Sequence, residues 1–326
     1  MVLIVMYTII QDLLNSFRIH RQMELKILIN GIFRGAGDAS LAMRALTIAN
    51  CINIVLDPCL IYGYGPFPEM GLSGAAVATN IGRGIGVLYG LYYLCGGGGR
   101  IQLHLQNMIL HIKTMRHLIR ISTGGVAQFL VGTASWVFLM QLVSSFGSEA
   151  VAGYTIAVRV VMFTILPAWG LSNAAATLVG QNLGAGLMDR AETTVWYIVK
   201  YNSMYMGLVS VLILLFTQPI ILIFVDNEIV VNYGIESLRI FSLAFVAWGA
   251  GMALTQAFNG AGDTMTPTWI NVFCFWVVEI PLAYSLALGL NLGPSGVFWS
   301  VFAADILLGI VGFLVFRRGK WKLQQF

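Results

Sequence analysis

Charged residues are scarce in this chain: they make up 10% of its 326 residues, whereas hydrophobic residues make up 58%. A soluble domain carries roughly 25% charged residues, so this chain has too few charges to cover a surface that faces water. Its apolar runs are about 20 residues long or longer, which is the length that a helix needs to cross a bilayer. The composition therefore excludes a soluble globular protein and predicts an all-α polytopic membrane protein.

Residues that bind metals or form disulfides are also few, and they follow no ligand or pairing pattern. The cysteines are expected to be small buried hydrophobic residues, and the histidines lie in polar connecting segments. The net charge of +4 comes from basic residues in short loops, so it does not indicate a nucleic-acid partner. We therefore expect that the protein has no metal site and no cofactor and that it is not an enzyme. The residues concerned are Cys51, Cys59, Cys95, Cys274, His20, His104, His111 and His117.

Eight apolar stretches predict membrane-spanning helices, and a weaker candidate at 13–33, interrupted by charges, precedes them. Lys and Arg lie in the connections 95–118 and 180–193 and in the tail, whereas the alternate connections contain none. Because basic loops stay in the cytoplasm, the sequence predicts a cytoplasmic C-terminus. The predicted spans are 41–62, 72–94, 119–145, 151–179, 194–216, 231–258, 267–289 and 294–316.

The longest connection divides the chain. Its residues 101–117 have the apolar spacing of a helix that lies on the membrane surface, although an ordinary polar linker helix explains them equally well. We predict a partial first lobe at 1–95, a linker at 96–118, a second lobe at 119–316 and a cytoplasmic tail at 317–326.

A repeat relates the two lobes. Gly-Ala-Gly-Asp occurs at 35–38 and again at 260–263, with six predicted spans between the copies. The sequence GLSG at 71–74 matches GPSG at 293–296. Because an even number of spans returns the chain to the same side, both copies are expected to be cytoplasmic. The repeat predicts two lobes of six helices in a parallel pseudo-two-fold arrangement.

The same repeat predicts that the first lobe is incomplete, with about 8–9 spans present. The second unit begins near residue 117, which is 146 residues before Asp263, whereas only 37 residues precede Asp38. We therefore expect a fragment or a truncated chain that lacks about three spans.

The glycines of the repeated motif allow a tight cytoplasmic turn in conformations that other residues avoid. Asp38 and Asp263 are each expected to cap the next helix, as is Thr266, which precedes Pro267. A Gly-x-Gly-Asp motif also occurs in intramembrane aspartyl proteases, but there the aspartate lies inside a span rather than at its entrance. The predicted turn residues are Gly35, Gly37, Asp38, Gly180, Gln181, Gly184, Gly186, Gly260, Gly262 and Asp263.

The chain resembles the MATE family of multidrug exporters in these turns and in three further stretches: CINIVLDP at 51–58, GLSGAAVAT at 71–79 and LVGQNLGAG at 178–186. The resemblance covers about residues 30–320. It implies six plus six helices around a cleft that opens to one side at a time, with cation entry driving the export of organic compounds. Some family members carry acids in the seventh and tenth helices, where this chain has Gly132 and Trp248.

Ionisable and polar residues inside the predicted spans are the site candidates, because a charge at the bilayer centre costs at least ~2.5 kcal/mol. Prolines follow Asp57 and Glu279 closely, so each acid has a structural alternative: hydrogen bonding to a carbonyl that the proline frees. Arg83 and Asp305 are repeat equivalents that are also explained as a structural ion pair, and Arg159 lies nearer the outer face. The candidate pathway residues are Asp57, Glu279, Asp305, Arg83, Asn50, Asn53, Gln128 and Gln256.

The sequence thus predicts a secondary active transporter of the bacterial inner membrane, a monomer that exchanges small amphipathic or cationic organic substrates for H+ or Na+. Trp136, Trp248 and Trp276 are interpreted as lipid-facing or packing residues rather than as substrate contacts. Two alternatives remain: a lipid-linked saccharide flippase of the same superfamily, and a truncated membrane protein that does not transport.

Overall fold

A computed structural model describes residues 25–96, 100–102 and 112–323. Each of the eight predicted spans lies on a long helix, and most helices are longer than predicted. Residues 25–35 are also helical, so the weak candidate at 13–33 lies partly outside the described residues, as does most of the segment 101–117. The helices are α1 (Ala39–Tyr62), α2 (Leu72–Cys95), α3 (Ile112–Ser144), α4 (Ser148–Gly184), α5 (Met188–Leu222), α6 (Glu228–Gly260), α7 (Met265–Gly289) and α8 (Pro294–Arg317).

The all-α membrane fold is confirmed. Among the described residues, seven helices are long and apolar enough to cross a membrane. The exception is α2, whose sequence includes Asn80, Arg83 and several glycines. The chain divides into two compact units, Met1–Leu110 and His111–Phe326.

The first unit is built around the hairpin of α1 and α2. A Cβ atom on Gly74 would lie 2.3 Å from the Leu60 carbonyl oxygen, and one on Gly82 would lie 2.7 Å from that of Ala49. Glycine is therefore required for the close approach of the two helices, as is common where membrane helices pack. Helical residues 25–35 contribute the buried Ile29 and Phe33 to the core of this unit.

The second unit is organised around α6, which packs against α4, α5 and α8. In the most apolar stretch of α6, 61% of the residues are buried, compared with 39% or less in the other spans. The core on one side of α6 includes Tyr154, Phe241 and Phe298, whose rings lie about 6 Å apart. Because α6 is surrounded by protein, the neighbouring helices are positioned by their contacts with it.

Helix α7 is irregular. Regular α-helix at Met265–Asn271 gives way to π-helix at Val272–Glu279, then to α-helix at Ile280–Tyr284 and again to π-helix at Ser285–Gly289. Pro281 has no N–H to donate to the preceding turn, and single turns of π-helix within longer helices are frequent at functional sites. The irregular backbone surrounds Glu279, one of the candidate acids.

The predicted turns form three closely similar helix ends. After α6, the Asp263 N–H donates to the Phe258 carbonyl at 3.0 Å and the Gly262 N–H to the Asn259 carbonyl at 3.1 Å. The turns at Asp38 and Leu187 repeat this pattern, which is the Schellman motif. In each turn the last glycine has a positive φ, +85° at Gly37, +76° at Gly262 and +74° at Gly186.

The capping predictions were only partly right. Asp263 does cap α7, because its side chain accepts from the Thr266 N–H at 3.0 Å and from the Thr266 hydroxyl at 2.6 Å. The Asp38 side chain makes no cap hydrogen bond; it accepts instead from the Arg100 N–H at 2.8 Å. The prediction that Thr266 caps the helix was wrong, since its hydroxyl bonds to Asp263 and it lies inside the first turn.

The predicted tail is 317–326, and its described residues, up to 323, pack against the helices. Trp321 is 1% exposed and stacks on Phe316, with ring centroids 4.8 Å apart. Lys322 forms an ion pair with Glu192 near the start of α5. The 3-10 turn Lys320–Leu323 therefore folds back against the end of α8 and the start of α5.

Candidate functional site

A cavity of about 640 Å³ lies within the second unit, between α3, α4, α6, α7 and α8. Its volume is in the range of sites that bind drug-sized molecules. Most of its lining is aromatic or aliphatic, and the aromatic residues are Phe129, Trp136, Tyr154, Trp169, Phe241, Phe245, Trp248 and Phe275.

Two carboxylic acids also line this cavity: Glu279 from α7 and Asp305 from α8. Both are buried, with exposed fractions of 5% and 7%. Glu279 accepts a hydrogen bond from the Ser135 hydroxyl at 2.8 Å. Within the described residues of this unit, Asp305 makes no hydrogen bond or ion pair. A buried carboxyl group without a partner is costly.

Hydrogen bonds from α7 to α3 position Glu279. The Trp276 indole N–H donates to the Val131 carbonyl at 2.9 Å, and the Thr268 hydroxyl donates to the Gly124 carbonyl at 3.0 Å. Ser135 lies one turn beyond Val131 and carries the bond to Glu279. The irregular backbone of α7 is thus attached to α3 at several points along its length.

The electrostatics of the cavity favour a positive ligand. Among the described residues that line it, none is Lys or Arg. Carboxylates attract cations, and aromatic faces stabilise them further by cation–π interaction. No group of three or more His, Cys, Asp or Glu residues able to hold a metal ion occurs among the described residues.

Gly132 and Trp248, which the resemblance places about where some family members have acids, both line this cavity. A Cβ atom on Gly132 would meet nothing within 4 Å, so the space beside α3 is open. The carboxyl groups of the cavity come instead from α7 and α8. The sequence predicted Glu279 and Asp305 as separate candidates, and the tertiary structure places both on one cavity.

The predicted amides Gln128 and Gln256 are joined by a residue that the sequence analysis missed. The Asn259 amide lies 3.2 Å from Gln128 Oε1 and 3.1 Å from Gln256 Oε1, and donates to both. Gln128 also lines the cavity. Asn259 lies just before the Gly-Ala-Gly-Asp turn at 260–263, and it was not among the predicted site residues.

The remaining candidates lie in the first unit. Asn53 and Asp57 are one turn apart on α1, and each has a buried oxygen atom, Oδ1, without a hydrogen-bond partner. Asn80 on α2 has another. Asn50 is exposed and Arg83 is half-buried. The ion pair between Arg83 and Asp305 would join the two units and stays a prediction.

Other residues of the cavity were not predicted as site residues from the sequence. Trp136 and Trp248 were interpreted as lipid-facing or packing residues, yet both line it. Ser135 and Tyr154 were not predicted, because a hydroxyl group in an apolar helix has no distinctive spacing. None of the predicted turn residues is among the residues that line the cavity. The prediction that Gly180 and Gln181 form a turn was wrong, because both lie inside α4. Gly180 packs against α6, since its Cβ would lie 3.1 Å from the Gly260 carbonyl oxygen.

Comparison with known proteins gives consistent matches. The MatE family model matches residues 126–285. The chain is 28% identical over 294 residues to the probable multidrug resistance protein NorM of Thermotoga maritima, covering 90% of this chain and 63% of that protein. It is 25% identical over 292 residues to the FAD transporter of Shewanella oneidensis, covering 87% and 63%.

Solved structures match equally well. A crystal structure of MATE in the straight conformation superposes with a TM-score of 0.83 at 27% identity, covering 91% of this chain and 66% of that one. The outward-facing conformation of a multidrug resistance MATE family transporter of the MOP superfamily gives 0.82 at 27% identity, with the same coverage. The chain thus spans a little under two thirds of the length of these relatives.

Proposed function

We propose, since this chain belongs to the MATE family of membrane transporters, that it acts in multidrug efflux by secondary active transport. The proposed substrates are small amphipathic organic cations, and the proposed driving ion is H+ or Na+. Relatives named as multidrug resistance proteins support the substrate class.

The observation that carries this proposal is the cavity of the second unit. It combines aromatic walls, two buried carboxyl groups and no Lys or Arg among its described lining residues. An amphipathic cation would place its charged group near Glu279 and Asp305 and its rings against the aromatic side chains. The phosphate of a lipid-linked saccharide would be repelled by the same carboxylates, so this cavity favours an exporter over a flippase.

The coupling ion would act at the same carboxyl groups. Protonation of Glu279 removes its negative charge, and Na+ binding offsets that charge. Either event weakens the attraction for an organic cation, and exchange of one cation for another follows. The π-helical turns and Pro281 give α7 a backbone that can adopt more than one shape. Occupancy of Glu279 would then bias the conformation of α7, as alternating access requires.

Asn53 and Asp57 offer a second candidate for ion binding in the first unit. Their unpartnered oxygen atoms, one turn apart on α1, are the kind of ligand that Na+ accepts. We place them in the ion pathway rather than in substrate recognition, because no aromatic lining is described around them.

The proposed orientation has the C-terminus in the cytoplasm of a bacterial cell. The basic residues at the end of α8 and after it, including Arg317, Arg318 and Lys320, support this orientation by the positive-inside rule.

A binding experiment with ethidium, whose positive charge is permanent, tests the function. The purified full chain in detergent is expected to bind ethidium, and the double variant Glu279→Gln, Asp305→Asn is expected to bind it at least about tenfold more weakly, since each charged contact contributes about 1.5 kcal/mol or more. Binding by the native chain is also expected to weaken as the pH falls or the Na+ concentration rises, because protons and Na+ compete for the carboxylates.

Glu236→Gln is the matched control. It removes a half-buried carboxyl group from α6 that does not line the cavity, so ethidium affinity is expected to stay unchanged. If the double variant binds ethidium as tightly as the native chain does, these carboxyl groups do not recognise cations and the proposal is wrong.

A further inference from the structure

A second cavity, of about 280 Å³, lies between α3 and α4. It shares Trp136, Tyr154, Val158 and Met162 with the acidic cavity described above. The two spaces therefore adjoin, with these four side chains forming the wall between them. Apolar side chains make up most of the lining of the second cavity, but its charged residue is a cation, Arg159, whereas those of the first cavity are acids.

The wall is held in place by specific contacts. The Trp136 indole N–H donates to the Tyr154 hydroxyl at 3.1 Å. Tyr154 is 2% exposed, and its ring stacks on Phe298 with an interplanar angle of 12°. Because Phe298 fixes Tyr154 and Tyr154 fixes Trp136, the boundary between the cavities is ordered. Because these side chains line both cavities, a ligand that contacts them is near the polar groups of each cavity.

The second cavity is lined by Arg159, which projects from α4. Its side chain is exposed and makes no hydrogen bond or ion pair within the described residues of this unit. It lies 11 residues after Ser148, where α4 begins, or ~16 Å along the helix axis. A charge inside a membrane span is costly, and Arg159 differs from other charged residues of this unit in lining the second cavity. Thr155, one turn earlier on the same helix, adds a hydroxyl group to the same cavity.

Arginine matches a carboxylate better than any other side chain does. Its guanidinium group is planar and always charged, and it presents paired N–H donors that fit the two carboxylate oxygens. Mostly apolar surroundings strengthen such a pair, because fewer water molecules compete for the donors. The second cavity therefore offers an anion a charged partner, a hydroxyl group and an apolar surface.

We propose that the cavity at Arg159 is an anion-binding subsite, and that the two cavities together select zwitterionic amphiphiles. The cationic end of the ligand lies near Glu279 and Asp305, and its carboxylate pairs with Arg159. The aromatic body of the ligand lies against Trp136 and Tyr154, which line both cavities. The position of the cationic end rests on the proposed function, whereas the role of Arg159 rests on the second cavity alone.

Two dyes that differ only in the carboxylate test this subsite: rhodamine B, which is zwitterionic, and its ethyl ester, which is a cation. Binding to the purified full chain in detergent is measured by fluorescence polarisation. Arg159→Met is expected to weaken rhodamine B binding at least about tenfold, as expected for the loss of a charge-assisted pair, and to change ester binding less than about twofold. Arg159→Lys keeps the charge but not the paired donors, so its affinity for rhodamine B is expected to lie between those of the native chain and of Arg159→Met.

Arg239→Met is the matched control. Arg239 is also exposed, and it lies 11 residues after Glu228, where α6 begins, but it lines neither cavity. This variant removes the same charge at the same distance along a neighbouring helix. Rhodamine B affinity is expected to remain within about twofold of the native value, the margin set for the ester.

The outcomes separate the two proposals. If the native chain binds rhodamine B but not the ester, cation recognition fails and the anion subsite stands. If the ester binds and Arg159→Met leaves rhodamine B affinity unchanged, or weakens both dyes equally, the anion subsite is wrong. If phosphatidylglycerol added to the micelles displaces rhodamine B alone, Arg159 binds a lipid phosphate, and the selection of zwitterionic amphiphiles is wrong.

Discussion

The hairpins α1–α2 and α7–α8 begin alike and differ in their interiors. Each follows a Gly-Ala-Gly-Asp turn with the same Schellman hydrogen bonds. Each is also closed near its other end by a glycine that packs against the preceding helix. A Cβ atom would lie 2.3 Å from the Leu60 carbonyl oxygen at Gly74 and 2.5 Å from the Ala287 nitrogen at Gly296.

The interiors diverge. Helix α1 is regular over its 24 residues, whereas α7 alternates between α-helix and π-helix around Glu279. Asp57 on α1 has an oxygen atom without a partner, whereas Glu279 accepts a hydrogen bond from Ser135. A turn depends on its own backbone and recurs with its sequence. A side chain inside a span depends on the helices around it, and those differ between the two hairpins.

The largest expected effect is in cysteine labelling, which tests whether the two hairpins have the same orientation and in which each site is either labelled or not. If the two hairpins share one orientation, both Gly-Ala-Gly-Asp turns lie in the cytoplasm. An impermeant maleimide applied to intact cells is then expected to label single cysteines on one side only, in a background without native cysteines. Labelling is expected at Glu69→Cys, Glu149→Cys and Glu228→Cys, and none at Asp38→Cys, Lys113→Cys and Asp263→Cys.

Permeabilised cells provide the control, because every site should then react. Opposite results for Asp38→Cys and Asp263→Cys in intact cells would show that the hairpins are inverted relative to each other, and the parallel repeat would be lost.

The first glycine of each turn gives the next largest difference. A Cβ atom on Gly260 would lie 2.2 Å from the Ala176 carbonyl oxygen, whereas one on Gly35 would meet nothing within 4 Å. Gly260→Ala is expected to lower the free energy of unfolding by about 2 kcal/mol through overpacking. Gly35→Ala is expected to raise it by up to about 1 kcal/mol, since alanine favours a helix. Thermal unfolding in detergent measures both, and equal shifts would contradict the structure.

The last glycine of each turn is expected to behave alike in both copies. Gly37 and Gly262 have φ values of +85° and +76°, which an alanine adopts at a cost of roughly 1–2 kcal/mol. Gly37→Ala and Gly262→Ala should therefore lower the unfolding midpoint by similar amounts. A normal midpoint for either variant would mean that its turn has another backbone conformation.

The two aspartates give the smallest difference. Asp263→Ala removes a helix cap and is expected to cost about 1 kcal/mol. Asp38→Ala removes a pair with Arg100, whose side chain is 70% exposed, so its expected cost is a few tenths of a kcal/mol. Added salt should reduce the effect of Asp38→Ala and leave that of Asp263→Ala nearly unchanged. A larger loss for Asp38→Ala than for Asp263→Ala would reverse this assignment.

Helix positions were predictable because a span must present an unbroken apolar stretch to lipid. Their ends were predicted less well. Helices α4 and α5 continue for several residues beyond their apolar stretches, since polar residues outside the lipid also form helix when they pack against neighbouring helices. The π-helical turns of α7 were not predicted, because Pro281 indicates an irregularity without specifying its form.

Composition and apolar runs determined by themselves that this chain is an all-α membrane protein, and the motifs at its turns carried the resemblance to the MATE exporters. The membrane fold follows from the lipid environment and the turns from local backbone conformation, which a sequence encodes directly. Only the tertiary structure brought Glu279 and Asp305 onto one cavity, placed Ser135 beside Glu279 and set Arg159 behind the wall of Trp136 and Tyr154. Those groups come from two pairs of consecutive helices, α3–α4 and α7–α8, which α5 and α6 separate in the chain, and their proximity depends on how the helices of the second unit pack.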